Sequence, residues 1–467
     1  MNLEAPATGV MALTASSADA RTFAFTGRGQ APSPGDLVVL APPGGDRFLG
    51  QVLGLSVTPD ASASGEGLIL GALADDDVLA RDGRRSFPAA SMEPAPAALQ
   101  VAVQKAAGAG LEIGTRRSGG GDVPAALRAQ GFGRHTFLCG QSGSGKTYAL
   151  GVILEQLLLG TDLRMVVLDP NADFVRLGEP RSDAPPEAAA RLRASDVRVL
   201  GADSTAAQPL RMRFATMPRA AQTALLRLDP LADRAEYNLF LHLIGQGVSG
   251  ELDTLVTRLL AGDSDQRAMG QRVENLGLPQ WEVWAQELPS AAEVMADGAR
   301  ATVLNLSGFR DPREPVAVSL DLVERLWAQR EDRTPTLIVI DEAHNLCPAE
   351  PAGSLQLALV ERLTQIAAEG RKYGLWLLLS TQRPSKIHPQ VLSQCDNLVL
   401  MRMNSPGDVA ELADVFGYAP PAMLQASKYF VQGEALLAGG FVPTPAIVQM
   451  GARLTFEGGS DVAVPLR

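Results

Sequence analysis

FLCGQSGSGKTYAL, residues 137–150, decides the fold of this chain. Within it GQSGSGKT fits the pattern G-x-x-x-x-G-K-[ST] in full, through Gly140, Gly145, Lys146 and Thr147. An apolar strand pattern precedes the loop. A helical pattern with Leu150, Ile153, Leu154 and Leu157 on one side follows it. In that context the glycines let the backbone wrap a phosphate chain, so that N–H groups and the helix N-terminus face the negative charge. Gly140, Ser142, Gly143, Ser144, Gly145, Lys146, Thr147 and Tyr148 are the expected nucleotide cradle. Lys146 is expected to reach the β- and γ-phosphates, and the Thr147 hydroxyl to ligate Mg²⁺. ATP and Mg²⁺ are therefore the expected cofactors.

A second stretch supplies the acids such a loop requires. In LIVIDEAH, residues 337–344, four apolar residues carry the chain to Asp341 at the C-terminal end of a buried strand. Ligands of doubly wound sheets bind at that rim. Asp341 would hold Mg²⁺ through water, and Glu342 would polarise the attacking water. Gln382 ends the next strand in STQRP, where its amide either senses the γ-phosphate or satisfies loop backbone. Asp169 and Asp173, in LDPNADF, end another strand and suit either a pocket or a structural turn. Arg371, in AAEGRKYG, follows a helix with Leu355, Leu359, Leu363 and Ile366 on one face. It serves either as a dipole cap or as an arginine finger.

Apolar strands at 301–307, 336–344, 375–382 and 398–403 alternate with helical stretches, which predicts a mainly parallel sheet covered on both faces. The fold class is therefore α/β, a RecA-like P-loop core with an N-terminal small β-barrel and a helical insertion. The expected domains are a barrel at 1–102, a core at 125–178 and 299–467 ending in a hairpin and an extended arm, and a helical insertion at 179–298. The barrel rests on short runs such as TFAFT and GLILGAL set between turn residues. A Gly-rich connector is expected at 116–122.

With 467 residues, 46% hydrophobic and 20% charged, the chain is long enough for two or three packed domains and too apolar for wholesale disorder. The net charge of −11 argues against a general nucleic-acid coat, while leaving room for a local basic channel. Cys139, Cys347 and Cys395 lie far apart with no CxxC pair, so neither a disulfide framework nor a zinc site is expected. MNLEAPATGVMALTA lacks the basic start and apolar core of a leader, and no segment approaches the roughly 20 apolar residues of a membrane span. These features point to a cytoplasmic protein with no membrane partner. His135 and His344 read as structural, because no second ligand sits at metal spacing. Trp281, Trp284 and Trp327 read as core or interface rather than base-stacking platforms, and Cys139 as inert packing.

Four blocks together resemble the HerA-type ATPases of the HerA/FtsK branch of P-loop motors: GRHTFLCGQSGSGKT, VVLDPNADF, PTLIVIDEAHNLCP, and the run AAEGRKYGLWLLLSTQRPSKIHPQVLSQCDNLVLMRM. The tail from Gly433 to Gly459 is similar to the family's C-terminal arm. The likeness covers about 130–180 and 300–460, and the barrel and insertion match in placement only. It implies a homo-hexameric ring with nucleotide at subunit interfaces and duplex DNA in the central channel. It makes Arg371 the leading finger acting in trans, Arg402 a second candidate, and Arg134 a pocket residue. Lys386, Arg383, Arg211 and Arg213 are the basic residues assigned to DNA phosphates. The family's second motif commonly has a glycine and a glutamate after the aspartate, where this chain has Asn-Ala-Asp, so Asp173 is given no catalytic duty. The implied function is an ATP-driven DNA translocase or helicase. It would work with a nuclease or a sirtuin-like effector in DNA-end processing or phage defence. The alternative is a nucleotide-dependent ring scaffold that regulates an effector without motor activity, which the acidic balance suits. No LSGGQ-like string supports a transporter ATPase, since LSGFR at 306–310 lacks the second glycine and the glutamine. A RecA-type recombinase would lack the TQRPS block and the arm.

Overall fold

The computed structural model describes residues 13–60, 62–74, 79–116, 118, 121–202, 208–245 and 252–459. Most of the N-terminal stretch MNLEAPATGVMALTA and three residues of the Gly-rich connector (117, 119 and 120) lie outside the described residues.

The first ninety residues alternate inward and outward side chains, which is the signature of strands with one buried face. They form β1 (Thr14–Ser17), β2 (Thr22–Arg28), β3 (Leu37–Ala41), β4 (Arg47–Val57), β5 (Ser62–Leu73), β6 (Leu79–Ala80) and β7 (Phe87–Pro94). The antiparallel order is β2-β1-β7-β3-β4-β5-β6, and β2 also pairs with β5, which closes six strands into a barrel. Closure removes the edges that an open sheet would expose. Phe23 and Phe25, on alternate positions of β2, fill the interior with Leu40, Phe48, Val52 and Ile69.

After α1 (Ala97–Ala106) come β8 (Ala109–Arg116) and β9 (Val123–Arg128). These two pair antiparallel, so the segment expected as a connector is instead the tip of a hairpin. Then follow β10 (His135–Cys139), α2 (Lys146–Gly160), β11 (Arg164–Asp169), α3 (Pro186–Ala194) and β12 (Val197–Gly201). The helical block holds α4 (Arg219–Leu226), α5 (Arg234–Gly245), α6 (Leu252–Leu260), α7 (Ser264–Asn275) and α8 (Ala291–Ala296). The chain continues through β13 (Ala301–Asn305), α9 (Glu314–Ala328), β14 (Thr336–Ile340), α10 (Gly353–Glu369), β15 (Leu375–Thr381), β16 (Cys395–Leu400), β17 (Glu434–Gly439) and β18 (Ala446–Met450).

The chain divides into two compact units. One comprises the barrel, β8 and β9, the loop Gly140–Lys146 and the segment Asp396–Ala452. In it β16, β17, β18, β8 and β9 lie side by side in that order, and the tail forms the expected hairpin through β17 and β18. The other unit is built on the parallel strands β12-β13-β11-β14-β15-β10. Its strands are continuous apolar runs, as burial on both faces requires: every residue of β14 is buried. The block 179–298, read from the sequence as an insertion of helices, is not wholly helical. Val197–Gly201 forms β12, an edge strand parallel to β13. Its five residues, with two arginine-flanked valines, are too short and too polar-edged to announce a core strand. Trp281 and Trp284 stack at 6.1 Å and are buried, as expected of core residues.

A buried acid on α9 makes a prediction here. Burial pushes the Asp321 carboxyl up to about 6, and the ion pair with Arg325, 3.0 Å away, only partly offsets this. A carboxylate raised in the folded state contributes stability that is full below its unfolded value and lost as pH rises through about 6. Asp321→Asn should therefore be more stable than the parent at pH 7.5 by on the order of 2 kcal/mol, with the gap closing by pH 4.5. Urea midpoints at the two pH values measure it, and a gap independent of pH would contradict the assignment.

Candidate active site

The phosphate loop and the acids belong to different units and are taken in turn. In the loop, Gly143 and Gly145 have φ of +72° and +92°, in the left-handed region that a side chain disfavours. Three backbone hydrogen bonds shape it: Gln141 N–H to the Arg402 carbonyl (3.0 Å), Ser144 N–H to the Gln141 carbonyl (3.1 Å), and Gly433 N–H to the Ser144 carbonyl (2.9 Å). Ser142 and Gly143 are exposed, and Lys146 is buried. Arg402 donates to the Gly143 carbonyl of its own loop at 3.3 Å. That contact places the Arg402 side chain on the phosphate loop of its own chain. Thr147 and Tyr148 begin α2 beyond Lys146. Arg134, just before β10, is exposed.

In the other unit, the register of β11 on β14 sets Leu168 beside Ile340 and brings Asp169 level with Asp341 at the C-terminal rim. Both acids are fully buried. Ser380 Oγ donates to Asp341 Oδ1 at 2.7 Å. Asp169 accepts N–H bonds from Asn171 (3.3 Å), Asp173 (3.0 Å) and Phe174 (2.8 Å), so it does build the turn after its strand. Burial pushes the Asp169 carboxyl up to about 6, the Asp341 charge adding to the rise while those three hydrogen bonds oppose it. Oxygens of Asp169, Asp173 and Asp341 lie within 4.8 Å of one another. An all-oxygen set of this kind fits Mg²⁺, a hard cation. The sequence alone did not bring Asp169 and Asp173 to Asp341; strand register did.

Glu342 sits at φ 43°, ψ 48°, a left-handed conformation that is strained for glutamate. Its carboxylate is held from two sides. Gln382 Nε2 donates to Oε1 at 2.9 Å, and His344 Nδ1 lies 3.3 Å from Oε2. His344 Nδ1 also lies 3.0 Å from Thr381 Oγ1. The amide of Gln382 therefore meets the candidate water-polarising acid, not loop backbone. The sequence reads His344 only as structural; its spacing two residues after Glu342 is the signal that it orients that carboxylate. His135, by contrast, is a core residue. Leu377 N–H donates to its Nδ1 (2.9 Å), which leaves Nε2 to donate to the Ala367 carbonyl (3.0 Å).

Arg371 is half-buried on a short 3₁₀ turn, Gly370–Tyr373, that follows α10. The turn is anchored through Tyr373, whose ring meets Trp327 edge-on at 5.8 Å, with the Arg330 guanidinium over both rings. Two of the four basic residues assigned to DNA are committed elsewhere. Arg211 is buried and donates to the carbonyls of Ala202 (3.3 Å) and Leu210 (2.9 Å). Arg213 donates to the carbonyls of Gln286 (2.9 Å) and Leu288 (3.1 Å). Arg383 and Lys386 are exposed.

Residues 111–255 match the family described as "Helicase HerA, central domain", and 290–403 match the "ATPase family associated with various cellular activities". A DNA double-strand break repair helicase HerA of Sulfurisphaera tokodaii is 31% identical over 173 residues, 35% of this chain and 34% of that protein. This part of the chain is similar to the HerA helicases. A probable DNA double-strand break repair helicase HerA of Methanocaldococcus jannaschii is 30% identical over 130 residues, covering 28% of this chain and 25% of that protein. The match thus spans about a third or less of each of these relatives. Among solved structures, VirB4 of Thermoanaerobacter pseudethanolicus superposes with a TM-score of 0.50 at 14% identity, over 74% of this chain and 97% of that one. That likeness bears on the fold, which is the expected P-loop α/β architecture. No helix among the described residues is long and apolar enough to cross a membrane.

Proposed function

We propose that this HerA-type chain hydrolyses ATP to move duplex DNA through a ring of identical subunits. The observation that carries the reading is the acid pair at the end of β14, with Glu342 clamped by Gln382 and His344, in a chain that also bears a complete phosphate loop. Lys146 and the loop N–H groups hold the phosphates, and Thr147 and Asp341 are the residues to hold Mg²⁺. That ion supplies charge neutralisation of the phosphate oxygens. Glu342 accepts a proton from the attacking water, and Gln382, bonded to it, changes partner when the γ-phosphate leaves. Arg371 is the residue a neighbour would lend. Arg402, already on the loop, steadies the phosphates of its own subunit. A nuclease or sirtuin-like effector, with a role in DNA-end processing or phage defence, follows from the family resemblance alone.

Duplex DNA should raise the steady-state ATPase rate severalfold, and the chain should sediment as a hexamer with nucleotide. An ATPase rate indifferent to duplex DNA, in a protein that still binds ATP, would favour the scaffold reading instead.

A further inference from the structure

At the opposite rim of the same parallel sheet lies a cavity of about 460 Å³ that the nucleotide chemistry does not use. Three neighbouring strands open onto it at their first residues: Arg164 of β11, Thr336 of β14 and Leu375 of β15, which are register partners. Asp169 and Asp341 stand at the other ends of these strands, about 17 Å away at 3.3 Å per residue. The cavity is therefore separate from the ATP site.

Its charge is unusual for a chain of net −11. Three guanidinium groups line it, from Arg164, Arg325 and Arg330. Arg325 is matched by the buried Asp321 and donates to the Thr216 carbonyl at 2.8 Å. Arg164 donates to the Met295 carbonyl at 2.9 Å, and among the described residues it has no carboxylate partner. Arg330 donates to the Trp327 carbonyl (2.9 Å), while its Nε is buried without a hydrogen-bond acceptor. Its nearest acid is the exposed Glu331 at 3.8 Å. Two acids also line the cavity. Glu293 already caps the Ser290 N–H at 2.7 Å, and Asp332 is exposed.

We infer that this cavity is a binding site for a phosphoryl anion, held by Arg164 and Arg330. The planar fork of a guanidinium matches phosphate oxygens two at a time. The Trp327 and Tyr373 rings, 4.6 and 5.4 Å from the Arg330 guanidinium, hold that fork in place before the ligand arrives. The phosphoryl group belongs either to a nucleic-acid backbone or to a free nucleotide. Only the first source rests on the DNA-handling reading. Tyr373 lies two residues beyond Arg371, so an occupant touches the turn that bears the proposed finger.

The test compares the parent with Arg164→Gln/Arg330→Gln and with Arg164→Lys/Arg330→Lys. Fluorescence anisotropy with a labelled duplex is read between about 50 and 200 mM salt. The glutamine pair should bind about tenfold more weakly at low salt, with the log–log salt slope smaller by about 1 to 2, near 0.9 for each phosphate no longer neutralised. The lysine pair should bind the duplex between the parent and the glutamine pair and keep the parent's salt slope, because point charges still neutralise phosphates without the guanidinium fork. The ATP binding that Lys146→Ala abolishes should persist in both variants, so failure of the phosphate-loop reading would show itself independently. In a Lys146→Ala background, pyrophosphate binding abolished only in the glutamine pair identifies a free nucleotide as the source. Unchanged binding of both duplex and pyrophosphate overturns the site, and so does a lysine pair whose duplex salt slope falls as far as that of the glutamine pair.

Discussion

Replacing Glu342 by glutamine is expected to lower ATP turnover by about 10²- to 10⁴-fold while ATP still binds. The carboxylate accepts from the Gln382 amide at 2.9 Å, and the His344 ring lies 3.3 Å from its other oxygen. Its backbone is kept in the left-handed region at φ 43°, and such strain persists only where surrounding contacts impose it. Glutamine has nearly the same shape and accepts the Gln382 hydrogen bond, so the clamp survives and only the proton acceptor is removed. Single-turnover hydrolysis and equilibrium binding of a fluorescent ATP analogue separate the two effects. A fall of less than tenfold would show that Glu342 is not the group that takes the proton. The same variant discriminates motor from scaffold: a scaffold would still assemble and activate its effector, whereas a motor would stall.

The second large effect concerns stability, and it lies where the C-terminal arm crosses α2. Glu155 is buried on that helix and accepts N–H bonds from Leu454 (2.8 Å) and Thr455 (2.9 Å), together with the Thr455 hydroxyl. Burial pushes its carboxyl above the ordinary range, and these hydrogen bonds and the charge of Arg453 pull it back. The Arg453 guanidinium, 3.5 Å from Glu155 and fully buried, lies over the Phe174 ring and reaches the Asp173 carbonyl. Room for it exists because residue 151 is glycine: a Cβ there would stand 2.6 Å from Arg453 Nε. The Arg453 N–H in turn donates to the Tyr148 hydroxyl at 2.6 Å, one residue after Thr147. Glu155→Ala leaves a buried guanidinium with only the more exposed Glu457, 3.9 Å away, as counter-charge, and three donors without acceptors. It should destabilise this unit by about 3–5 kcal/mol. Chemical denaturation measures this, and a loss below about 1 kcal/mol would mean that the arm is not held there. Gly151→Ala should act in the same direction by expelling the guanidinium.

Local chemistry was legible where the signal was contiguous. The phosphate loop, the strand ending in Asp341-Glu342, the barrel and the tail hairpin all announce themselves through glycine spacing, apolar runs and period-two alternation. The hairpin at 109–128 was not legible, because a Gly-rich tip looks the same whether it links domains or strands. Nor was β12, where Arg198 interrupts the apolar run that marks a buried strand and the first three residues are only half-buried.

For the site, residue types settled what chemistry was on offer, and tertiary contact settled who meets whom. Arg211 and Arg213 looked available to DNA because charge is visible in a sequence and hydrogen-bond commitment is not. Arg402 was marked only by the family resemblance, and its contact with the Gly143 carbonyl of its own chain has no sequence signal. Glu155 sits in the apolar run ILEQLLL, which carries no signal of its role. Its partners lie about three hundred residues later, and no local pattern encodes so distant a contact. By itself the sequence determined a P-loop α/β core that resembles the HerA type, because glycine spacing and strand-end acids are local requirements of nucleotide chemistry. Only the tertiary structure decided which acids converge, which arginines remain available and how the arm is tied to the phosphate-loop helix, because burial and pairing of charge are properties of packed neighbours.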